Sequence, residues 1–307
     1  MKMEQLQGDQ HLHPEVRKIV DYDDADRIKH IYCDKWIGYS RAKQGLDALQ
    51  ELFEFPVRNR MPNLLIVGAT NNGKSMILEK FKRVMQAEIT ENDVETDAEN
   101  IPIVSMQMPS DPTINRFYLM LLHAMNATAN PRAKKSDIEY VALKVLKRTG
   151  VRILIIDEIH NLLAGKEGQQ REFLNLLRFL GNELQIPIVA AGTRDAYLAI
   201  RSDPQLENRF HPFILPDWNC DSELASFLSG YLSLVPLKRP TEISRGLMEY
   251  VLAKSEGTIG EITSLLTKAS VVAIETGEEK ISRNVLSLTP YHSPSERRKL
   301  FERELIN

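Results

Sequence analysis

One short stretch holds the residue types that bind phosphate. It reads Asn63-Leu-Leu-Ile-Val-Gly-Ala-Thr-Asn-Asn-Gly-Lys-Ser75, with Met76 next. Gly68 to Ser75 fits the spacing G-x-x-x-x-G-K-[ST] without a gap. Gly68 and Gly73 let the backbone curl, so that the N–H groups of Ala69, Thr70, Asn71, Asn72 and their neighbours through Met76 face inward on an anion. Lys74 supplies a cation that reaches β- and γ-phosphates, and the Ser75 hydroxyl suits a Mg²⁺ ion. The competing reading is a glycine-rich turn carrying an ordinary surface lysine.

Further along, Asp157-Glu158 follows the apolar run Ile153 to Ile156. An aspartate at such a strand end is placed to hold Mg²⁺, and the adjacent glutamate to deprotonate an attacking water. Thr193, after Ile186 to Ala191 and Gly192, offers a hydroxyl to a γ-phosphate or to that water. Arg209, in Asn208-Arg209-Phe210, would stabilise charge developing in the transition state if it faced a neighbouring subunit's nucleotide; by its residue type alone it reads equally as a surface arginine.

These residues require particular elements to position them. Leu64 to Val67 reads as a buried parallel strand, and Met76 to Met85 as the helix that adds its positive N-terminal end to the phosphate loop. Ile101 to Met106, Val151 to Ile156, Ile186 to Ala191 and Phe213 to Leu215 read as further strands. Helices are expected over Ala42 to Phe53, Thr113 to Met125, Ser136 to Arg148 and Gln169 to Leu184, with Ser136 and Glu139 forming a capping box. Glu88 to Asn100 carries six acids and no base, as a solvated loop would. Trp36 and Tyr39 either wall a base or pack the N-terminal segment.

From Asp221 the alternation of strand and helix stops. Ser222 to Leu234, Thr241 to Lys254 and Ile259 to Thr276 read as three helices. The expected division is a loose arm over 1–25, a nucleotide-binding core over 26–217, a helical lid over 218–280 and a tail over 281–307.

The 307 residues, 43% of them hydrophobic, suffice for a core with a smaller second domain. A net charge of −3 excludes a generally basic nucleic-acid coat, so any DNA affinity must come from a local patch. Cys33 and Cys220 form neither a disulfide framework nor a metal-ligand spacing, which suits a reducing cytoplasm. No apolar run approaches a membrane span.

Taken together, Trp36-Ile-Gly-Tyr39-Ser-Arg-Ala, Arg60 to Ser75, Asp157-Glu-Ile-His-Asn-Leu-Leu-Ala-Gly165, Ala191-Gly-Thr193, Leu206-Glu-Asn-Arg-Phe210 and Gly257-Thr-Ile-Gly-Glu-Ile262 resemble the TniB family of transposon AAA+ ATPases, relatives of the target-selection regulator TnsC. The resemblance implies an α/β fold: a P-loop core with a five-stranded parallel sheet in the order 5-1-4-3-2, and a C-terminal helical lid. It implies ATP and Mg²⁺, homo-oligomers or filaments on double-stranded target DNA, a DDE-type transposase and a TniQ-like targeting protein. It puts Arg209 in the arginine-finger place and basic residues near the second strand, namely Arg116, Arg132, Lys134 and Lys135, in the position of DNA contacts. It also exposes a departure: the lid arginine of a Gly-x-x-Arg segment is here Gly260. Two other readings remain open on the sequence, a STAND-like or secretion-associated signalling ATPase with protein partners only, and a scaffold that binds ATP without hydrolysis.

Overall fold

The computed structural model describes residues 10–92 and 100–306. Its sheet is built from β1 (Asn63–Gly68), β2 (Ile103–Gln107), β3 (Ile153–Asp157), β4 (Ile188–Gly192) and β5 (Phe210–Leu215), all parallel, in the order β2-β3-β4-β1-β5. This is the expected order read from the opposite edge. Every residue of β1 and β4 is buried, which is why both read as unbroken apolar runs. The helices, in chain order, are α1 (Asp24–Tyr32), α2 (Ser40–Glu54), α3 (Lys74–Asn92), α4 (Ile114–Ala124), α5 (Lys135–Arg148), α6 (Glu167–Leu184), α7 (Arg194–Arg201), α8 (Pro204–Glu207), α9 (Ser222–Ser233), α10 (Arg245–Ser255), α11 (Ile259–Glu275), α12 (Arg283–Leu288) and α13 (Pro294–Ile306). A 3-10 turn, Ile159–Ala164, follows β3.

The chain divides into two compact units. The sheet unit comprises 41–70 and 74–216. In it, α6 buries Phe173, Leu176, Leu177 and Leu180, a spacing that keeps one helical face on the core. Phe117 of α4 meets Phe173 edge-on, with ring centres 5.8 Å apart. Asn63 is buried at the base of the sheet, where its side chain accepts a hydrogen bond from the Ile188 amide at 2.9 Å and so ties β1 to β4.

Helix α5 starts one residue before the expected capping box. Lys134 is its N-cap, without a side-chain cap bond, and Glu139 instead accepts a hydrogen bond from the Tyr118 hydroxyl at 3.0 Å. Buried Tyr118 needs that acceptor, a long-range demand that outweighs the local motif. The acidic stretch is helical through Asn92, and its continuation over 93–99 lies outside the described residues.

The helical unit gathers residues up to Ser40, the loop residues Asn71–Gly73, and Asp217 onward. Its core packs Leu224, Phe227 and Leu228 of α9 with Val251, Leu265, Leu266 and Ala269. Tyr39, Trp218 and Phe227 form an aromatic cluster, with Tyr39–Trp218 centres 5.0 Å apart.

Two boundaries differ from expectation here. Of the loose arm expected over 1–25, residues 1–9 lie outside the described residues; in the remainder Leu12, Val16 and Val20 are buried and the His13 amide donates to the Ser233 carbonyl at 2.8 Å. Arg27 of α1 is fully buried, donating to the Pro236 carbonyl at 2.7 and 3.1 Å, to Asp24 and to Glu279. At the other end, part of the expected tail is core: Val285, Leu286 and Tyr291 are buried. Within the same stretch, helix α13 leaves Leu300, Phe301 and Leu305 exposed. Among the described residues, no helix is long and apolar enough to cross a membrane.

Candidate nucleotide site

Strand β1 delivers Gly68 to the C-terminal edge of the sheet, and α3 begins at Lys74. Between them the backbone takes left-handed values at Asn71 (φ 61°) and Gly73 (φ 86°). Such values turn successive N–H groups to one side, and at Gly73 they favour glycine. Lys74 is 5% exposed, and its Nζ donates to the carbonyls of Gly68 at 3.0 Å and Ala69 at 2.7 Å. Burial pulls its ammonium below the ordinary lysine range, and the charges of Glu158 and Asp157 partly offset this. A desolvated ammonium amid loop amides is suited to phosphate oxygens.

Strand β3 brings Asp157 to the same edge. The Ser75 hydroxyl donates to Asp157 Oδ2 at 2.5 Å, and Asp157 Oδ1 accepts from the Glu158 amide at 2.8 Å. Two adjacent hard oxygen donors, one anionic, match the small complement of protein ligands that Mg²⁺ takes beside phosphate. Glu158 itself is left-handed, at φ 53° and ψ 37°. This is an uncommon conformation for a residue with a β-carbon, and its cost of roughly 1–3 kcal/mol is characteristic of functional positions. The 3-10 turn that follows lies close against the end of β4: a methyl on Gly192 would come within 2.9 Å of Ile159 Cγ2 and Ala196 Cβ. Glycine at 192 therefore permits the packing that sets the Glu158 turn.

Strand register explains how distant residues meet. Ile156 pairs with Ala190 and Val67 with Gly192, so the ends of β3, β4 and β1 lie side by side. Thr193 follows β4 directly at the N-cap of α7, half-buried and without a side-chain cap bond. The hydroxyl is thus carried on the same edge as Lys74 and Glu158.

Arg209 is not brought to that edge. It precedes β5, whose Phe210 pairs with Asn63 at the start of β1. Its Nη1 donates to Asn182 Oδ1 at 2.9 Å. The basic candidates lie elsewhere again. Tyr118 and Glu139, each in the second turn of its helix, join α4 to α5, so the first turns of the two helices sit at one end of the pair. Arg116, Lys134 and Lys135 are exposed there, Arg116 lying 3.9 Å from Asp111. Arg132 is exposed on the connecting loop.

Two residues with a bearing on the site escaped the sequence reading. His160 Nδ1 approaches Glu158 Oε2 to 3.2 Å, within ion-pair distance but outside hydrogen-bond alignment. Its signal was the text Asp-Glu-Ile-His, which resembles a helicase box and gives no hint of an intramolecular contact. Gly260, noted only as a missing arginine, donates its amide to the Asn71 carbonyl at 3.0 Å.

Comparison with known proteins bears on the fold and the family. A curated relative, the chaperone protein ClpB of Meiothermus ruber, is 25% identical over 203 residues, 66% of this chain and 21% of that protein. The chain thus spans about a fifth of that relative's length. Among solved structures, the Aeropyrum pernix ORC1 protein in complex with DNA superposes with a TM-score of 0.63 at 17% identity, over 89% of this chain and 69% of the other. The Aeropyrum pernix ORC2 protein in its ADPNP-ADP complexes gives 0.59 at 16% identity, over 84% and 70%. At those identities the likeness is one of fold, the P-loop AAA+ fold expected for the sheet order. The model of the family described as bacterial TniB protein matches residues 27–220, well over half the chain, and on that match, together with the site just described, the chain belongs to the TniB family.

Proposed function

We propose that this chain is an ATPase that assembles as a homo-oligomer or filament on double-stranded target DNA, with little dependence on base sequence. In this reading it links target selection, through a TniQ-like targeting protein, to a DDE-type transposase, and hydrolysis controls disassembly. The observation that carries the reading is the convergence of Lys74, Ser75, Asp157 and Glu158 on one sheet edge.

Each residue has a role that its surroundings support. The amides of the loop from Gly68 to Met76 and the Lys74 ammonium bind the β- and γ-phosphates. Glu158 accepts the proton of the attacking water, and the Thr193 hydroxyl orients that water or the γ-phosphate. Ser75 and Asp157 would hold Mg²⁺, which neutralises charge on the phosphate oxygens. Arg209 contributes from a neighbouring copy.

Support for DNA as the scaffold is of two kinds. The family is one of transposon proteins by resemblance, and a structural neighbour was solved in complex with DNA. Titrating wild type and Lys74→Ala with ATP, then with duplex DNA over a salt series, tests the nucleotide and DNA parts of the reading. Wild type should bind DNA only with ATP, with log affinity falling linearly in log salt. Lys74→Ala should lose both ATP and DNA binding. If Lys74→Ala binds ATP as wild type does, the nucleotide site is misassigned. If wild type binds ATP but no DNA at low salt, the protein-only signalling reading takes its place.

A further inference from the structure

In the helical unit, Thr258 occupies the N-cap of α11 but makes no side-chain cap bond. A helix start ordinarily needs such an acceptor for its free amides. Here the Gly260 amide, in the first turn, donates to the main-chain carbonyl of Asn71 at 3.0 Å. The Asn71 carboxamide lies directly over Gly260, and a β-carbon there would overlap Oδ1, Cγ and Nδ2 of Asn71. Two neighbouring contacts lie on the same loop. Gly73 is within 3.4 Å of Ile259 Cγ2 and 3.6 Å of the Tyr39 hydroxyl, measured from where its own β-carbon would stand. Asn71–Gly73 accordingly group with the helical unit although they sit inside the phosphate-binding motif.

We infer that Gly260 is a positioning residue for nucleotide binding: the bare first turn of α11 holds the Asn71 peptide in its left-handed conformation, and so aims the amides of the phosphate loop. Glycine stands where a lid arginine would otherwise be because this contact leaves no room for a side chain. The lid then acts on the loop backbone, not on the nucleotide through a guanidinium. Asn71 adopts φ 61°, an uncommon value that a neighbouring donor can sustain. Releasing the donor frees the peptide to rotate, and a loop that must be reordered binds more weakly.

This inference rests on the reading of the loop as a nucleotide site, and the two can fail separately. ATP affinity is measured for wild type, Gly260→Ala, Asn71→Gly, the double variant and Lys74→Ala, with thermal unfolding followed alongside. Gly260→Ala should weaken ATP binding by about tenfold or more, as overpacking does. Asn71→Gly deletes the carboxamide that the new methyl would meet. In that background the alanine should change affinity by less than about twofold, a coupling that a double-variant cycle reads directly. The inference is overturned if Gly260→Ala binds ATP as wild type does, or if the loss is as large with Asn71→Gly as without it. Should Gly260→Ala alone fail to fold, the double variant must fold and bind, and its failure also overturns the inference. An unchanged affinity in Lys74→Ala would instead remove the nucleotide-site reading itself.

Discussion

The Asn63 amide donates to the Arg209 carbonyl at 2.9 Å. That bond pins Arg209 to the start of β1, whereas the phosphate loop leaves from its end. Six residues of strand at ~3.3 Å each separate the two by about 20 Å along the sheet, beyond the reach of an arginine side chain. Arg209 therefore cannot serve its own nucleotide, and a catalytic part for it requires a second copy. Arg209→Ala should bind ATP nearly normally and hydrolyse it at least about a hundredfold more slowly. Mixing it with Glu158→Gln pairs an intact finger with an intact base at some interfaces, so part of the activity should return. If the two variants demonstrably co-assemble and the mixture is no faster than its components, Arg209 is a structural arginine, held by Asn182.

Glu158→Gln should retain ATP binding and lose roughly a hundredfold or more in turnover, because the amide accepts no proton. Its assemblies on DNA should last longer. His160→Ala provides a finer measurement at the same place. If the imidazole 3.2 Å from the Glu158 carboxylate limits where that carboxylate can swing, its removal should lower kcat by about tenfold with KM little changed. Wild-type steady-state kinetics for either variant would return that residue to an ordinary strand-end role.

Charge reversal of Arg116, Lys134 and Lys135, which lie at one end of the α4–α5 pair, should flatten the slope of log DNA affinity against log salt by about one unit for each phosphate no longer neutralised. Because none of the three approaches Lys74 or Glu158, ATP affinity without DNA should not change. An unaltered salt slope assigns the cluster to solvated surface.

Burial alone would raise the Glu279 carboxyl, but hydrogen bonds from Arg27 and the Lys238 amide hold it below the ordinary range. A depressed folded value means that the stabilisation is fully present above the unfolded glutamate range. It is lost as pH falls through the folded value. Glu279→Gln should cost about 3 kcal/mol, since it leaves the fully buried Arg27 without its main counter-charge. The variant should also lose part of the acid sensitivity of the wild type. Chemical unfolding at neutral pH and at pH near 4 measures both effects; equal stability of variant and wild type at neutral pH would falsify this role.

How much of this was legible depends on whether a signal was local. The phosphate loop, Asp157-Glu158 and the three inner strands β1, β3 and β4 could be read because each is a contiguous run of one residue character. Sheet order came with the resemblance to a family. What stayed hidden was set by pairs far apart in the chain. Leu12, Val16 and Val20 form too sparse a pattern to predict burial, and one residue that packs on them, Leu234, lies more than two hundred positions along the chain. The capping box at Ser136 was lost because Tyr118 claims Glu139. Gly260 read as something missing, and only the position of the Asn71 carboxamide turns that absence into a requirement.

The discontinuity of the helical unit has a consequence for how the protein is made. Arg27 and Glu279 are 252 residues apart in sequence. At roughly 5–20 residues per second, the guanidinium waits tens of seconds on the ribosome before its carboxylate exists. Until then the first helix has no interior to enter, whereas the sheet unit, complete by Pro216, already has all of its strands. Synthesis therefore completes the sheet before Arg27 and Glu279 can clasp each other, and the N-terminal helix, made first, is among the last elements to find its partner.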